Sequence, residues 1–315
     1  MQLITKIPIA KADNPIDYNS RIFSVGSCFA VCISEKLHHF GFQQQVNPLG
    51  ILFHPKAIEK LIDYSVSNRE FLKEDLFFHN ERCHCFAAHS ELSNSDPNLL
   101  RNNLNSKIAE ASDSISMASH VIVTLGTAWV YRLKSTSEIV ANCYKIPQNR
   151  FTKELLAIHE IEESLQNIIT HIRTRNSQAQ LIFTISPVRH LKDGFVENQR
   201  SKSNLISALH NTLQENPTAS YFPSYEIMMD ELRDYRFYSA DMIHPSAIAV
   251  DYIWQRFSEA WISRQTSELM SKVGSVRNAL AHRPFNSGSE EHRKFVEKTE
   301  AEKARLMKIL PHLQF

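Results

Sequence analysis

Short apolar runs alternate with amphipathic helical stretches along most of this chain, and that alternation restricts the fold more than any other feature. Residues 21–25 are an apolar run ending at Gly26, and His120–Leu125 (HVIVTL) is apolar throughout and ends at Gly126. Residues 181–185 lead into Ser186 and Pro187, and Ala219–Phe222 leads into Pro223 and Ser224. Strand, helix, strand, helix in this order predicts an α/β fold: a mostly parallel sheet with helices on both faces. Ligands of such sheets sit beyond the carboxyl ends of the strands. The positions to search are therefore Gly26 and Ser27, Gly126 and Thr127, Ser186 and Pro187, and Pro223 and Ser224.

Helical periodicity fills the gaps between the apolar runs. Phe29, Ile33, Leu37 and Phe40 fall on one face, and Gly41 follows where a helix end favours a left-handed residue. Pro55 opens HPKAIEKLIDYSV at a position that tolerates proline. Residues 96–119, 151–175, 198–215 and Ala247–Trp261 read as further helices. Residues 42–46 read as a second strand, LFFHNERCHCF as two strands about Asn80 and Glu81, and Trp129–Leu133 with residues 138–141 as an inserted hairpin. From about residue 264 the chain is polar and helical. The expected division is one domain over 1–264 and a C-terminal helical extension over 265–315. The extension either packs on the domain or makes a homo-oligomer.

Charge and cysteine content narrow the function classes. The 35 basic and 34 acidic side chains leave a formal charge of +1, so no net field gathers nucleic acid or an anionic membrane. No stretch approaches the roughly 18 apolar residues of a membrane span, and the start does not read as a secretory signal. The five cysteines are Cys28, Cys32, Cys83, Cys85 and Cys143. An odd count in a large chain argues against a disulfide framework and for a reducing cytoplasm.

Two groups of residues carry the chemistry. Ser27 stands where a strand ends and a helix begins, so its hydroxyl reaches the sheet's carboxyl edge, and its own N–H and the helix N-terminus can face a developing oxyanion. An ordinary N-cap serine occupies the same position, and N-caps outnumber nucleophiles. In SADMIHPS, Asp241 and His244 are three residues apart. That spacing lets the carboxylate hold the Nδ1–H of the imidazole and leaves Nε2 as a base; the plain alternative is a surface loop with an idle histidine. Arg189 and His190 follow a strand end. They either bind an acidic or sugar group of a substrate or hold the loop, Arg189 pairing with an acid such as Asp193. Trp129 and Tyr131 either stack on a sugar ring or pack within the hairpin. Cys28 is a rival nucleophile, since thiols at helix N-termini can be activated. His79, Cys83, His84, Cys85 and His89 lack the paired spacing of zinc ligands, so a hairpin with buried thiols is expected and no metal site.

The run Gly26-Ser27-Cys28-Phe29-Ala30 resembles the signature of the GSCFA family, related to SGNH/GDSL-type hydrolases. NPLGILFHP (47–55), TLGTAW (124–129), SPVRHLKDGFVENQRSK (186–202), YFPSYEIMMDELRDYRFY (221–238) and DMIHPS (241–246) resemble further family segments, in family order. The resemblance implies a three-layer, flavodoxin-like SGNH sheet, with Ser27 and His244 matching the first and last of four blocks. Gly50 is the candidate for the glycine whose N–H supports the oxyanion. The third block departs from pattern: Gly126-Thr127 stands where many SGNH enzymes carry an asparagine, so either Thr127 or Asn142 completes the hole. The expected activity is removal of O-acyl or O-acetyl groups from a carbohydrate-like or small ester, without a cofactor. The alternative is a ligand- or carbohydrate-binding module on a degenerate SGNH fold.

Overall fold

The computed structural model describes residues 4–315. The chain enters its main sheet at β1 (Arg21–Gly26) and crosses through α1 (Cys28–His39) to β2 (Gln43–Val46). It returns through α2 (Pro55–Ser67), the hairpin β3 (Leu76–His79) and β4 (Arg82–Cys85), and α3 (Pro97–Met117) to β5 (His120–Leu125). A three-stranded insertion, β6 (Trp129–Leu133), β7 (Ile139–Val140) and β8 (Phe151–Leu155), precedes α4 (Ile158–Arg175) and β9 (Gln180–Ile185). Then come α5 (Phe195–Glu215), β10 (Ala219–Phe222), the one-turn α6 (Ser224–Glu226) and a π-helical turn, Ile227–Glu231. The last helices are α7 (Ala247–Trp261), α8 (Arg264–Ala281) and α9 (Glu290–Ile309).

The main sheet has the order β10-β9-β5-β1-β2, and each neighbouring pair is parallel. Numbered within the sheet, this is the flavodoxin-like order. β5 lies at its centre with every residue buried, which is why HVIVTL carries no alternation. Successive side chains of β1 divide between two cores: Phe23 and Val25 pack with Ile58, Leu104, Leu165 and Leu205 from α2, α3, α4 and α5. Ile22 packs on the other face with Phe29 of α1 and Phe257 of α7. Val273 of α8, Leu306 of α9 and Leu313 belong to this second core, so the C-terminal helices pack on the domain and share its interior. Among the described residues no helix is long and apolar enough to cross a membrane.

One expectation fails. Residues 151–175 do not form one helix: Phe151–Leu155 is a strand paired antiparallel with β6, from Trp129↔Leu155 to Leu133↔Phe151. The helix starts at Ile158, where the Glu160 carboxylate accepts the Ala157 N–H at 2.8 Å. Leu155 satisfies the helical period by coincidence, while Phe151 and Thr152 are residues that favour strands.

Candidate active site

The junction of β1 and α1 is built around contact between strands. Gly26 has φ +137°, and a Cβ there would lie 2.1 Å from the Thr124 carbonyl oxygen, so only glycine fits. Its N–H donates to Asn47 Oδ1 at 2.8 Å, and its carbonyl accepts from Leu52 N at 3.0 Å. These bonds lay the loop after β2 across the sheet edge. Ser27 follows at the N-cap position of α1, yet its side chain makes no capping bond. It is fully buried, and Oγ has no hydrogen-bond partner. A buried hydroxyl left unbonded is costly, so an idle N-cap does not explain this serine.

Gly126 joins Ser27 to His190. A Cβ at Gly126 would stand 3.0 Å from Ser27 Cβ and 3.4 Å from His190 Nε2, so both side chains border one small space. His190 Nε2 is itself buried and unpartnered. Burial lowers the His190 pKa to about 4, and the charges of Lys202 and His244 add to the effect, so the ring is neutral at neutral pH. Behind Gly126 lies Lys202, fully buried on α5. Its ammonium donates to the carbonyls of Gly126 (2.8 Å) and Ser186 (2.6 Å), tying the ends of β5 and β9 together. Burial pushes its pKa down to about 7, although the carbonyl acceptors favour the charged form. Lys202 is not among the site residues expected from the sequence. Its signal is a lysine on the core-facing stripe of α5, in helical register with Asn198, Leu205 and Leu209.

Asp241 and His244 are bonded to each other. His244 Nδ1–H donates to Asp241 Oδ2 at 2.6 Å, which fixes the tautomer with Nε2 available. Asp241 Oδ1 accepts the backbone N–H groups of Ile243 (2.9 Å) and His244 (3.0 Å). These bonds, with the one from the His244 ring, hold the Asp241 pKa down to about 2. The loop is anchored by Ser239 N–H to His244 O (2.8 Å) and Arg189 N–H to Ile243 O (3.2 Å). Both side chains are about half exposed. No hydrogen bond links His244 to Ser27 in this conformation.

A cavity of about 460 Å³ is lined by Phe53, Thr127, Trp129, Asn142, Tyr144 and His190, among others. Several expected oxyanion donors are already engaged. Ser27 N–H donates to Thr124 O at 3.0 Å and Gly50 N–H to Asn47 O at 2.8 Å. Gly50 serves close packing, since a Cβ there would meet His89 Cβ at 2.3 Å. Thr127 Oγ1 accepts the Trp129 N–H at 3.0 Å and shares a hydrogen bond with Ser201 Oγ at 3.0 Å. Asn142 is different: Oδ1 accepts from Tyr144 N at 2.9 Å, while Nδ2 has no protein partner among the described residues. Trp129 donates Nε1–H to Glu197 O at 3.1 Å and carries the Lys153 ammonium 4.6 Å from its ring centroid.

Of the remaining candidates, Asp193 lines this cavity. Asp193 pairs with Lys153 rather than with Arg189. Cys28 has its pKa raised, chiefly by burial, which opposes thiolate formation. In the hairpin, both nitrogens of His84 are engaged, Nδ1 with Ser93 Oγ at 2.6 Å and Nε2 with His79 O at 2.9 Å. Cys83 and Cys85 are buried in the core.

The model of the GSCFA family matches residues 21–257, and that of the GSCFA domain protein, C-terminal domain, matches residues 273–315. No curated protein matches the sequence. Among solved structures, the chain is similar to an acetyl xylan esterase from the rumen bacterium Butyrivibrio proteoclasticus at 11% identity and TM-score 0.39. That match covers 85% of this chain and 66% of the esterase, so the chain spans slightly less than two thirds of it. It is also similar to a Clostridium thermocellum family 3 carbohydrate esterase at 10% identity and TM-score 0.34, covering 81% and 98% of the two chains.

Proposed function

From the premise that this chain belongs to the GSCFA family, we propose that it is a serine ester hydrolase of SGNH type. Its substrate is an O-acyl or O-acetyl ester of a carbohydrate-like or small alcohol. Ser27 Oγ attacks the ester carbonyl, His244 Nε2 takes the proton, and Asp241 holds Nδ1–H and stabilises the imidazolium. The alcohol leaves with that proton, and water activated by the same base releases the acyl group from Ser27. The observation that carries the reading is the Ser27 hydroxyl: fully buried, unbonded and at the carboxyl edge of the sheet, where an N-cap role would have given it a partner. Catalytic hydrogen bonds are often long before substrate arrives. The mechanism therefore requires the half-exposed His244 loop to approach Ser27 when the site is filled. The Asn142 amide supplies the side-chain donor to the oxyanion.

A second reading is a binding module that keeps the fold and performs no turnover. It is favoured by the engagement of the Ser27 and Gly50 N–H groups and of the Thr127 hydroxyl. Turnover of 4-nitrophenyl acetate separates the two. The hydrolase reading expects loss of activity in Ser27→Ala and His244→Ala and retention in Cys28→Ala. A folded wild-type protein without turnover on any acyl donor, or an inactive Cys28→Ala beside an active Ser27→Ala, overturns it.

A further inference from the structure

Arg189 places a cation beside the proposed reacting centre with no acid to neutralise it. Its side chain reaches Met229 Sδ at 3.5 Å, its charge partly offsets the rise that burial causes in the Tyr238 pKa, and Nε is buried without a partner. Among the described residues no carboxylate lies within 4.0 Å of its guanidinium, because the acids of this region are committed elsewhere. Asp234 pairs with Arg236 at 3.1 Å, Asp230 with Arg233 at 2.7 Å, and Asp241 with His244 at 2.6 Å. Glu226 accepts from the Tyr221 hydroxyl at 2.7 Å. Arg189 is partly buried, and a guanidinium drawn out of water normally has a carboxylate or phosphate partner.

The space in front of Arg189 is a cavity of about 240 Å³, walled by Phe195, Met228, Met229, Tyr238 and Met242, with Arg233 and Asp234 also on its lining. At about 30 Å³ per water-sized group, it holds on the order of eight non-hydrogen atoms. Methionine walls accept varied apolar shapes. The cavity adjoins the Asp241–His244 loop. Met242 lies between Asp241 and His244 in the chain, and Arg189 N–H is bonded to Ile243 O at 3.2 Å. Arg189 also precedes His190 in the chain, whose Nε2 borders Gly126 beside Ser27.

We propose that the ester hydrolysed at Ser27 carries a carboxylate, which pairs with Arg189 while a short apolar segment fills the methionine-walled cavity. This rests on the hydrolase reading. A single planar guanidinium matches the charge and the two oxygens of a carboxylate. A phosphate dianion would need a second cation, and the nearby Arg233 is already paired with Asp230.

The test compares 4-nitrophenyl hemisuccinate with 4-nitrophenyl butyrate, which differ by a terminal carboxylate in place of a methyl. Wild-type kcat/KM is expected to favour the hemisuccinate by about tenfold or more, the worth of a hydrogen bond to a charged group. Arg189→Met should collapse that ratio toward unity, and Arg189→Lys should keep part of it. Equal wild-type turnover of the two esters overturns the proposal even if no variant folds, and so does an unchanged ratio in a folded Arg189→Met. Calorimetric titration of Ser27→Ala with monomethyl succinate and with methyl butyrate reads binding alone. If no ester is hydrolysed yet monomethyl succinate binds in an Arg189-dependent way, the hydrolase reading fails and the carboxylate seat stands. Hydrolysis without discrimination fails the seat and leaves the hydrolase.

Discussion

Gly126→Ala adds one methyl group between Ser27 and His190. The new carbon would sit 2.9 Å from Phe53 O, 3.0 Å from Ser27 Cβ and 3.4 Å from His190 Nε2. Phe53 O cannot withdraw freely, because it accepts Gly126 N–H at 2.8 Å and Thr127 N–H at 2.9 Å. The strain therefore falls on Ser27 and His190. Overpacking of this kind costs about 1–3 kcal/mol, which lowers Tm by roughly 2–4 °C per kcal/mol in a chain of some 200 residues and less in a longer one. The effect on rate is larger. A nucleophile displaced by a fraction of an ångström should lose about 10–10² in kcat/KM. The assay is 4-nitrophenyl acetate turnover beside calorimetric Tm. Gly194→Ala is the control: nothing lies within 4 Å of a Cβ there, but φ is +98°, so it should lower Tm through backbone strain and leave turnover intact. A folded Gly126→Ala with wild-type turnover would refute the placement of the reaction beside Gly126.

Three further outcomes follow from the same geometry. Asn142→Ala should lower kcat by about 10²–10³, the usual worth of one oxyanion donor, while Thr127→Val should cost mainly stability; steady-state kinetics with Tm checks both. Lys202→Met strips the donor from the carbonyls of Gly126 and Ser186, at about 1–3 kcal/mol each. The folded pKa of Lys202, about 7, is below its ordinary 10.5, so between these values the unfolded chain holds a proton that the fold has shed. Wild-type Tm should therefore climb relative to Lys202→Met as pH rises from 7 to 10, with a constant difference below 7, and a flat difference throughout would contradict this. Asp241→Asn should keep the fold and lower kcat by roughly 10²–10⁴ through loss of tautomer control and imidazolium stabilisation; undiminished turnover would remove Asp241 from the mechanism.

The parallel sheet was legible because a central strand buried on both faces, such as HVIVTL, admits little but apolar residues. The Asp241–His244 bond was legible because three-residue spacing in a turn brings the two side chains together locally. Residues 151–155 were misread because Leu155 suits either period and the partner strand lies more than 15 positions away. The oxyanion donors were illegible for a related reason. Whether Ser27 N–H is available depends on the register of β1 against β5, which pairs Gly26 with Thr124 and carries Ser27 N–H to Thr124 O. The joint placement of Ser27 and His190 about Gly126 also depends on how β9 and its following loop sit beside β5. Chain order says nothing of that.

If the buried Ser27 hydroxyl is a nucleophile, it should form a covalent adduct with an electrophilic probe. Reaction with a fluorophosphonate, located by peptide mass spectrometry, tests it most directly. One adduct per chain should form on Ser27, absent in Ser27→Ala, retained in Cys28→Ala and slowed in Asp241→Asn. A folded wild-type protein that stays unlabelled, or an adduct on any other residue, would contradict that role for Ser27.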